Sequence, residues 1–117
     1  MSVAPGDVIW VDFGETIGRE QHGGRPAVVV GAHRHRAVAR ELVIVVPCTS
    51  RDRGWRAHLP LHGEIDVDRP TFAMTEQPRT VSVRRLGHHM GTVHARCRQD
   101  IALAVRNWLE PPPPLRG

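Results

Sequence analysis

The chain contains no lysine: its sixteen strongly basic residues are all arginine, set against twelve acidic residues for a formal net charge of +4, with eight histidines beside them. Complete loss of lysine is as much the mark of a GC-rich coding sequence as of any ligand. The charge therefore points toward a polyanionic partner without identifying it as nucleic acid. Cysteine is scarce as well. Cys48 and Cys97 lie far apart and form no C-x-x-C pair, which excludes a disulfide framework and a cysteine zinc knuckle and fits a reducing cytoplasm. No run approaches the roughly 18 apolar residues of a membrane span, and the first residues show neither a basic n-region nor an apolar h-region. The expectation is a soluble, cytoplasmic protein with no membrane partner. Internal repeats are absent, and 117 residues suffice for one compact domain.

What is present reads mostly as strand. Val8 to Phe13 alternates and is rich in β-formers, while Pro26 to Gly31 and Leu42 to Pro47 are continuous apolar runs of the kind buried on both faces. Shorter extended segments are expected at Arg56 to Leu61, Thr71 to Glu76 and Thr80 to Val83, divided by Gly54, Gly63 and the Asp68-Arg69-Pro70 turn. From Ala95 the period changes: Cys97, Ile101, Ala104, Val105 and Trp108 recur at helical spacing. His94 stands where Ser, Thr, Asp or Asn usually caps. Pro111 to Pro114 ends the helix and tends to polyproline II, giving a single domain at 1–110 and a proline-rich tail at 111–117. Six short strands and one helix suit an α+β, mostly β, strongly curved small barrel; the pattern leaves an OB-type barrel or another small sheet open.

The densest chemistry lies in Gly18-Arg19-Glu20-Gln21-His22-Gly23-Gly24-Arg25-Pro26, where glycines permit close backbone approach and Arg25 sits at the step from loop to strand. A guanidinium there is a permanently charged fork able to bind two phosphate oxygens, and a poor general base because its pKa exceeds about 12. A salt bridge to Glu20 is the structural alternative. His22, titrating near about 6.5, suits a base or an acid, or is simply an exposed loop histidine. The loop Arg51-Asp52-Arg53-Gly54-Trp55-Arg56 joins cations to an indole, suited to phosphate attraction and base stacking, though Trp55 has an equal alternative in packing on the barrel. His33-x-His35, His58-x-x-x-His62 and His88-His89 raise the question of metal. Leu59-Pro60 keeps His58 and His62 from sharing a helix turn, and no cysteine is near, so no metal and no cofactor are expected.

Gly6-Asp7-Val8-Ile9-Trp10-Val11-Asp12-Phe13, the glycine-rich stretch through Ala27-Val28-Val29-Val30, Val45-Val46-Pro47-Cys48-Thr49-Ser50, and Thr75-Glu76-Gln77-Pro78-Arg79-Thr80-Val81-Ser82 leading to Arg84-Arg85-Leu86 form four ordered blocks. In them the chain resembles the MazF/PemK toxin family, from about Gly6 to Leu109. The resemblance implies an SH3-like small barrel of antiparallel strands with a C-terminal α-helix, as in the MazF, CcdB and Kid toxins. It implies the toxin of a type II toxin–antitoxin pair: a sequence-specific, metal-independent endoribonuclease that cuts single-stranded messenger, transfer or ribosomal RNA. The RNA's 2′-hydroxyl attacks, leaving 2′,3′-cyclic phosphate and 5′-hydroxyl ends and halting translation. It further implies a homodimer and an antitoxin with an acidic, disordered segment.

Arg25 matches the family's active-site arginine and is assigned transition-state stabilisation. The family's strand-end hydroxyl falls on Thr49 or Ser50, Thr49 first; either alternatively caps a turn. Glu20 and Gln21 belong to the motif, whereas His22 occupies a variable position. The catalytic candidates are therefore Arg25, Thr49, Ser50, Glu20 and His22; the RNA-binding candidates are Arg19, Gln21, Arg51, Arg53, Trp55, Arg56, Gln77, Arg79 and Arg85. Pro78 departs from the pattern and is expected to bend its strand. Two readings of other classes remain: a gyrase-binding toxin of the CcdB kind, which shares the fold, and an inactive small-barrel RNA-binding module.

Overall fold

The computed structural model describes residues 3–14, 23–35, 40–110 and 113–114, with 32–35 and 40 as backbone alone. The three long strands form where the apolar runs stand: β1 at Asp7–Asp12, β2 at Gly24–His35 and β3 at Arg40–Thr49. β4 (His58–Pro60) and β6 (Phe72–Met74) are shorter than the segments expected for them, β7 (Arg79–Ser82) has the expected length one residue earlier, and β5 (Gly63–Ile65) and β8 (Leu86–Val93) were not expected. All paired strands among the described residues run antiparallel, in the order β4-β6-β3-β2-β1-β8-β5, with β7 also on β3. The result is a curved, barrel-like sheet that does not close, with α1 (Ala95–Leu109) following it.

Alternation explains why β2 and β3 read as unbroken apolar runs. Val8, Val28, Val46 and Cys48 project to one side, where Cys97, Ile101 and Val105 of α1 cover them. Ile9, Val11, Ala27, Val29, Val43 and Val45 project to the other, where Val81, Val83 and Leu86 pack over them. Each fully buried Val or Ile contributes about 1.5–3 kcal/mol, so both layers hold the central strands against register slip.

β3 changes partners along its length. Leu42 to Val45 pair with β7 and Ala27 to His35 pair back onto it from β2, but Cys48 and Thr49 pair with Ala73 and Phe72 of β6. This change carries Thr49 out of the β2 pairing and into a corner of the sheet. β5 and β8 escaped a reading of the sequence because Gly63 and Gly91 punctuate them. In the fold those glycines are close-approach points: a Cβ at Gly91 would lie 2.7 Å from the Ile65 Cα, and one at Gly63 2.6 Å from the Val93 Cα. Pro78 stands in the turn between β6 and β7, ahead of the strand rather than inside it.

α1 starts at His94 without a side-chain cap and ends with the Glu110 amide donating to the Arg106 carbonyl. Its buried stripe is Cys97, Ile101 and Val105. Trp108, expected on the same face, is 57% exposed and Leu109 71%, a correction to that expectation: the buried stripe stops at Val105. Among the described residues no helix is long and apolar enough to cross a membrane.

Candidate functional site

Arg25 is the second residue of β2, opposite Val11 of β1, and so stands on the sheet rather than on the preceding loop. Thr49 is the last residue of β3, and Ser50 follows it. The bend of β3 brings these together: Arg25, Thr49 and Ser50 line one cleft of about 500 Å³. Thr49 is half-buried and its Oγ1 accepts the Arg51 amide at 3.1 Å. The turn-capping alternative is therefore present, and it leaves the hydroxyl proton available to donate into the cleft. Ser50 is exposed. Cys48 also lines the cleft, but burial pushes its thiol up to about 12; neutral sulfur of that kind is inert as a nucleophile.

The remaining lining comes from residues the sequence did not single out: Trp10 of β1, Met90 of β8, Thr71, and Val67, Asp68 and Arg69 of the turn before β6. Asp68 Oδ1 and Arg69 Nε lie 3.5 Å apart with both side chains exposed. The signal was present in part, since Trp10 belongs to the first motif block, where it reads as an ordinary strand residue, and Asp68-Arg69-Pro70 reads as a plain turn.

Arg79 and Arg85 are not in this cleft. They line a second one of about 440 Å³ with Asp12, Phe13, Thr80 and Ser82, where the Arg79 guanidinium lies 5.1 Å from the Phe13 ring centre. Gln77 is exposed in the β6–β7 turn, and its amide donates to Glu76 Oε2 at 3.2 Å. Arg51, Arg53, Trp55 and Arg56 form an exposed loop after β3, with the Asp52 carboxylate accepting the Gly54 amide to hold the turn. Trp55 meets both alternatives: its ring rests 4.9 Å from that of His58, Arg53 lies 5.3 Å over it, and it is 54% exposed. Arg19, Glu20, Gln21 and His22 lie outside the described residues.

Beneath that loop sits a polar pair the sequence did not link. His58, 2% exposed in its side chain, bonds through Nε2 to Glu76 Oε2 at 3.1 Å. Burial acts to raise the Glu76 carboxyl, but the His58 bond, helped by its own amide and Gln77, outweighs it and holds the group below its ordinary value. His58 is thus engaged on a strand, His89 Nε2 lies 3.3 Å from Asp7 Oδ1, and the His88 ring lies near-parallel to that of Trp10. Among the described residues no three His, Cys, Asp or Glu side chains converge as a metal-ligand group.

The family described as "PemK-like, MazF-like toxin of type II toxin-antitoxin system" matches residues 4–109. The Endoribonuclease toxin MazF of Escherichia coli (strain K12) is 35% identical over 82 residues, 70% of each chain. Among solved structures, MazF (Form-I) from Deinococcus radiodurans superposes with a TM-score of 0.71 at 24% identity, over 90% of this chain and 94% of that one. A mycobacterial endoribonuclease in complex with its cognate antitoxin gives a TM-score of 0.72 at 18% identity, over 97% and 100%. These two share the fold.

Proposed function

We propose a function from one premise: the chain belongs to the PemK-like, MazF-like toxin family of type II toxin–antitoxin systems. It is an endoribonuclease toxin that cuts single-stranded RNA without metal, in the cytoplasm, and arrests growth by stopping translation. The observation that carries this reading is the meeting of Arg25 with Thr49 and Ser50 in one cleft, from strands otherwise separated in sequence.

The reaction asks for three things: removal of the 2′-hydroxyl proton, stabilisation of the charged phosphorane, and protonation of the leaving 5′ oxygen. Attack by the 2′ oxygen on phosphorus breaks the bond to the 5′ oxygen and closes the cyclic phosphate, so no covalent enzyme intermediate forms. Arg25 binds two phosphorane oxygens as a fixed cation, and the Thr49 hydroxyl donates to a non-bridging oxygen. His22 serves as base or acid in the proton transfers, and Glu20 is a further catalytic candidate of the same motif. Arg19, Gln21, the Arg51–Arg56 loop, Gln77, Arg79 and Arg85 hold the flanking strand by charge and stacking.

The domain spans 1–110 and the tail 111–117. The two arginine-lined clefts suit an antitoxin with an acidic segment, in keeping with the antitoxin-bound mycobacterial relative, and the active species is a homodimer. The test is to incubate wild type and Arg25→Ala with a long single-stranded RNA in chelator and to read cut positions and end groups. Discrete cuts with 2′,3′-cyclic phosphate and 5′-hydroxyl ends are expected, slowed by about 10²–10³-fold in Arg25→Ala. Intact RNA with wild type overturns the proposal.

A further inference from the structure

A scissile phosphate needs a cation and hydrogen-bond donors, and Arg25, Thr49 and Ser50 supply both. The rest of the cleft is of another character: an indole, a thioether and Val67, rimmed by the Asp68–Arg69 pair. Its volume of about 500 Å³ lies within the roughly 300–1,000 Å³ typical of small-molecule sites, so it accommodates more than a phosphate.

Trp10 is held in that wall by close packing. A Cβ at Gly24 would lie 2.8 Å from its Cε2, and one at Gly87 3.3 Å from its Cδ1, so both strands that flank β1 come close to the indole at positions without a side chain. The His88 ring lies at 12° to it with centroids 6.1 Å apart. A half-buried indole fixed in this way borders the cleft in a preformed position and loses little freedom on receiving a ligand.

We propose that this wall is a nucleobase subsite. The base of a nucleotide flanking the scissile phosphate stacks on Trp10 beside Met90, and Asp68 and Arg69 read its hydrogen-bonding edge. The subsite selects bases carrying an exocyclic amine over uracil. An ionised carboxylate only accepts, and Asp68 keeps Oδ2 for an amine while Oδ1 faces Arg69 Nε. Uracil offers a single N–H flanked by two carbonyls that a carboxylate repels. Arg69, in turn, donates to a neighbouring ring nitrogen or carbonyl of the selected base.

This inference rests on the ribonuclease reading, and one experiment separates their failures. A randomised single-stranded RNA pool is cleaved in chelator by wild type, Arg25→Ala, Trp10→Phe, Trp10→Leu and Asp68→Ala, and the ends are sequenced; KM is measured on one good substrate. Wild type is expected to enrich adenine, cytosine or guanine over uracil at one position flanking the cut. Trp10→Leu raises KM about tenfold or more, while Trp10→Phe, which keeps an aromatic face, stays within about threefold of wild type. Asp68→Ala, in an exposed turn, flattens the base preference while Arg25-dependent cutting continues. If wild type cuts but Trp10→Leu and Asp68→Ala leave KM and the flanking-base distribution unchanged, the subsite is wrong and the ribonuclease stands. Should Trp10→Leu fail to fold, the distribution from Asp68→Ala decides alone. Intact RNA with wild type overturns the ribonuclease reading and the subsite together.

Discussion

Replacing Glu76 by alanine leaves His58 with no partner on either ring nitrogen, because its Nδ1 already has none among the described residues. The His58 side chain is 2% exposed and that of Glu76 19%, so water screens the pair poorly. A hydrogen bond to a charged group contributes about 1.5–3 kcal/mol, and an orphaned buried polar atom costs about 1–3 kcal/mol. Removing Glu76 also removes its own unpartnered Oε1, which offsets part of the second quantity. A net loss of about 2 kcal/mol is expected, a large share of a typical 5–15 kcal/mol total. Urea unfolding at pH 7 of wild type, Glu76→Ala, His58→Ala and the double variant measures it. The two single losses share one bond, so the cycle should show a coupling of about 1 kcal/mol or more. Losses that add to within about 0.5 kcal/mol sink the idea. The dependence on pH has a fixed sign. The folded Glu76 carboxyl lies below its ordinary 4.5, so its contribution is complete above that value and is lost as the pH falls through the lower, folded one. The gap between wild type and Glu76→Ala should therefore close below pH 4.5; a gap that widens there contradicts the assignment.

Thr49→Val should slow RNA cleavage by about 10- to 150-fold, the loss of one hydrogen bond to a charged oxygen. Thr49→Ser and Ser50→Ala should each stay within about threefold of wild type, and single-turnover rates on one substrate decide between the two hydroxyls. Gly91→Ala should cost about 2 kcal/mol or more, since φ is 142° and the new Cβ would meet the β5 backbone. Gly54→Ala, at φ 69° with nothing within 4 Å, should lose only the roughly 1–2 kcal/mol of left-handed strain. Equal losses in thermal melts would mean that β5 and β8 do not approach as described.

How much of the fold the sequence discloses depends on what a residue does for the chain locally. The unbroken Val28-Val29-Val30 and Val43 to Val46 runs announce strands because both faces of the sheet are packed, although Ile44 within the second run stands exposed. Cys97, Ile101 and Val105 announce a helix by period. β5 and β8 stay hidden because their pairing is secured by glycines at 63 and 91, and a missing side chain carries no periodic signal. Trp108 misleads for the opposite reason. Helical spacing says which face a residue shares, and nothing about whether that residue is covered there.

The candidate site divides along the same line. Arg25 and Thr49 are legible as candidates because the motif blocks that carry them resemble the family's, and their meeting requires only that β3 turn from β2 toward β6 at Cys48. Arg79 and Arg85 are legible as cations but not as to place. Sequence order puts them after the Thr75-Glu76-Gln77 block, while the pairing of β7 with Leu42 to Val45 carries them to a cleft bounded by Asp12 and Phe13. Trp10 and the Asp68–Arg69 turn are legible only as a motif residue and a turn, since a strand tryptophan and an Asp-Arg-Pro turn are ordinary until β1, β8 and the turn before β6 converge on the same cleft of about 500 Å³. Chemistry written in one residue survives into the sequence. Shape, which is a property of several strands at once, has to be read from the fold.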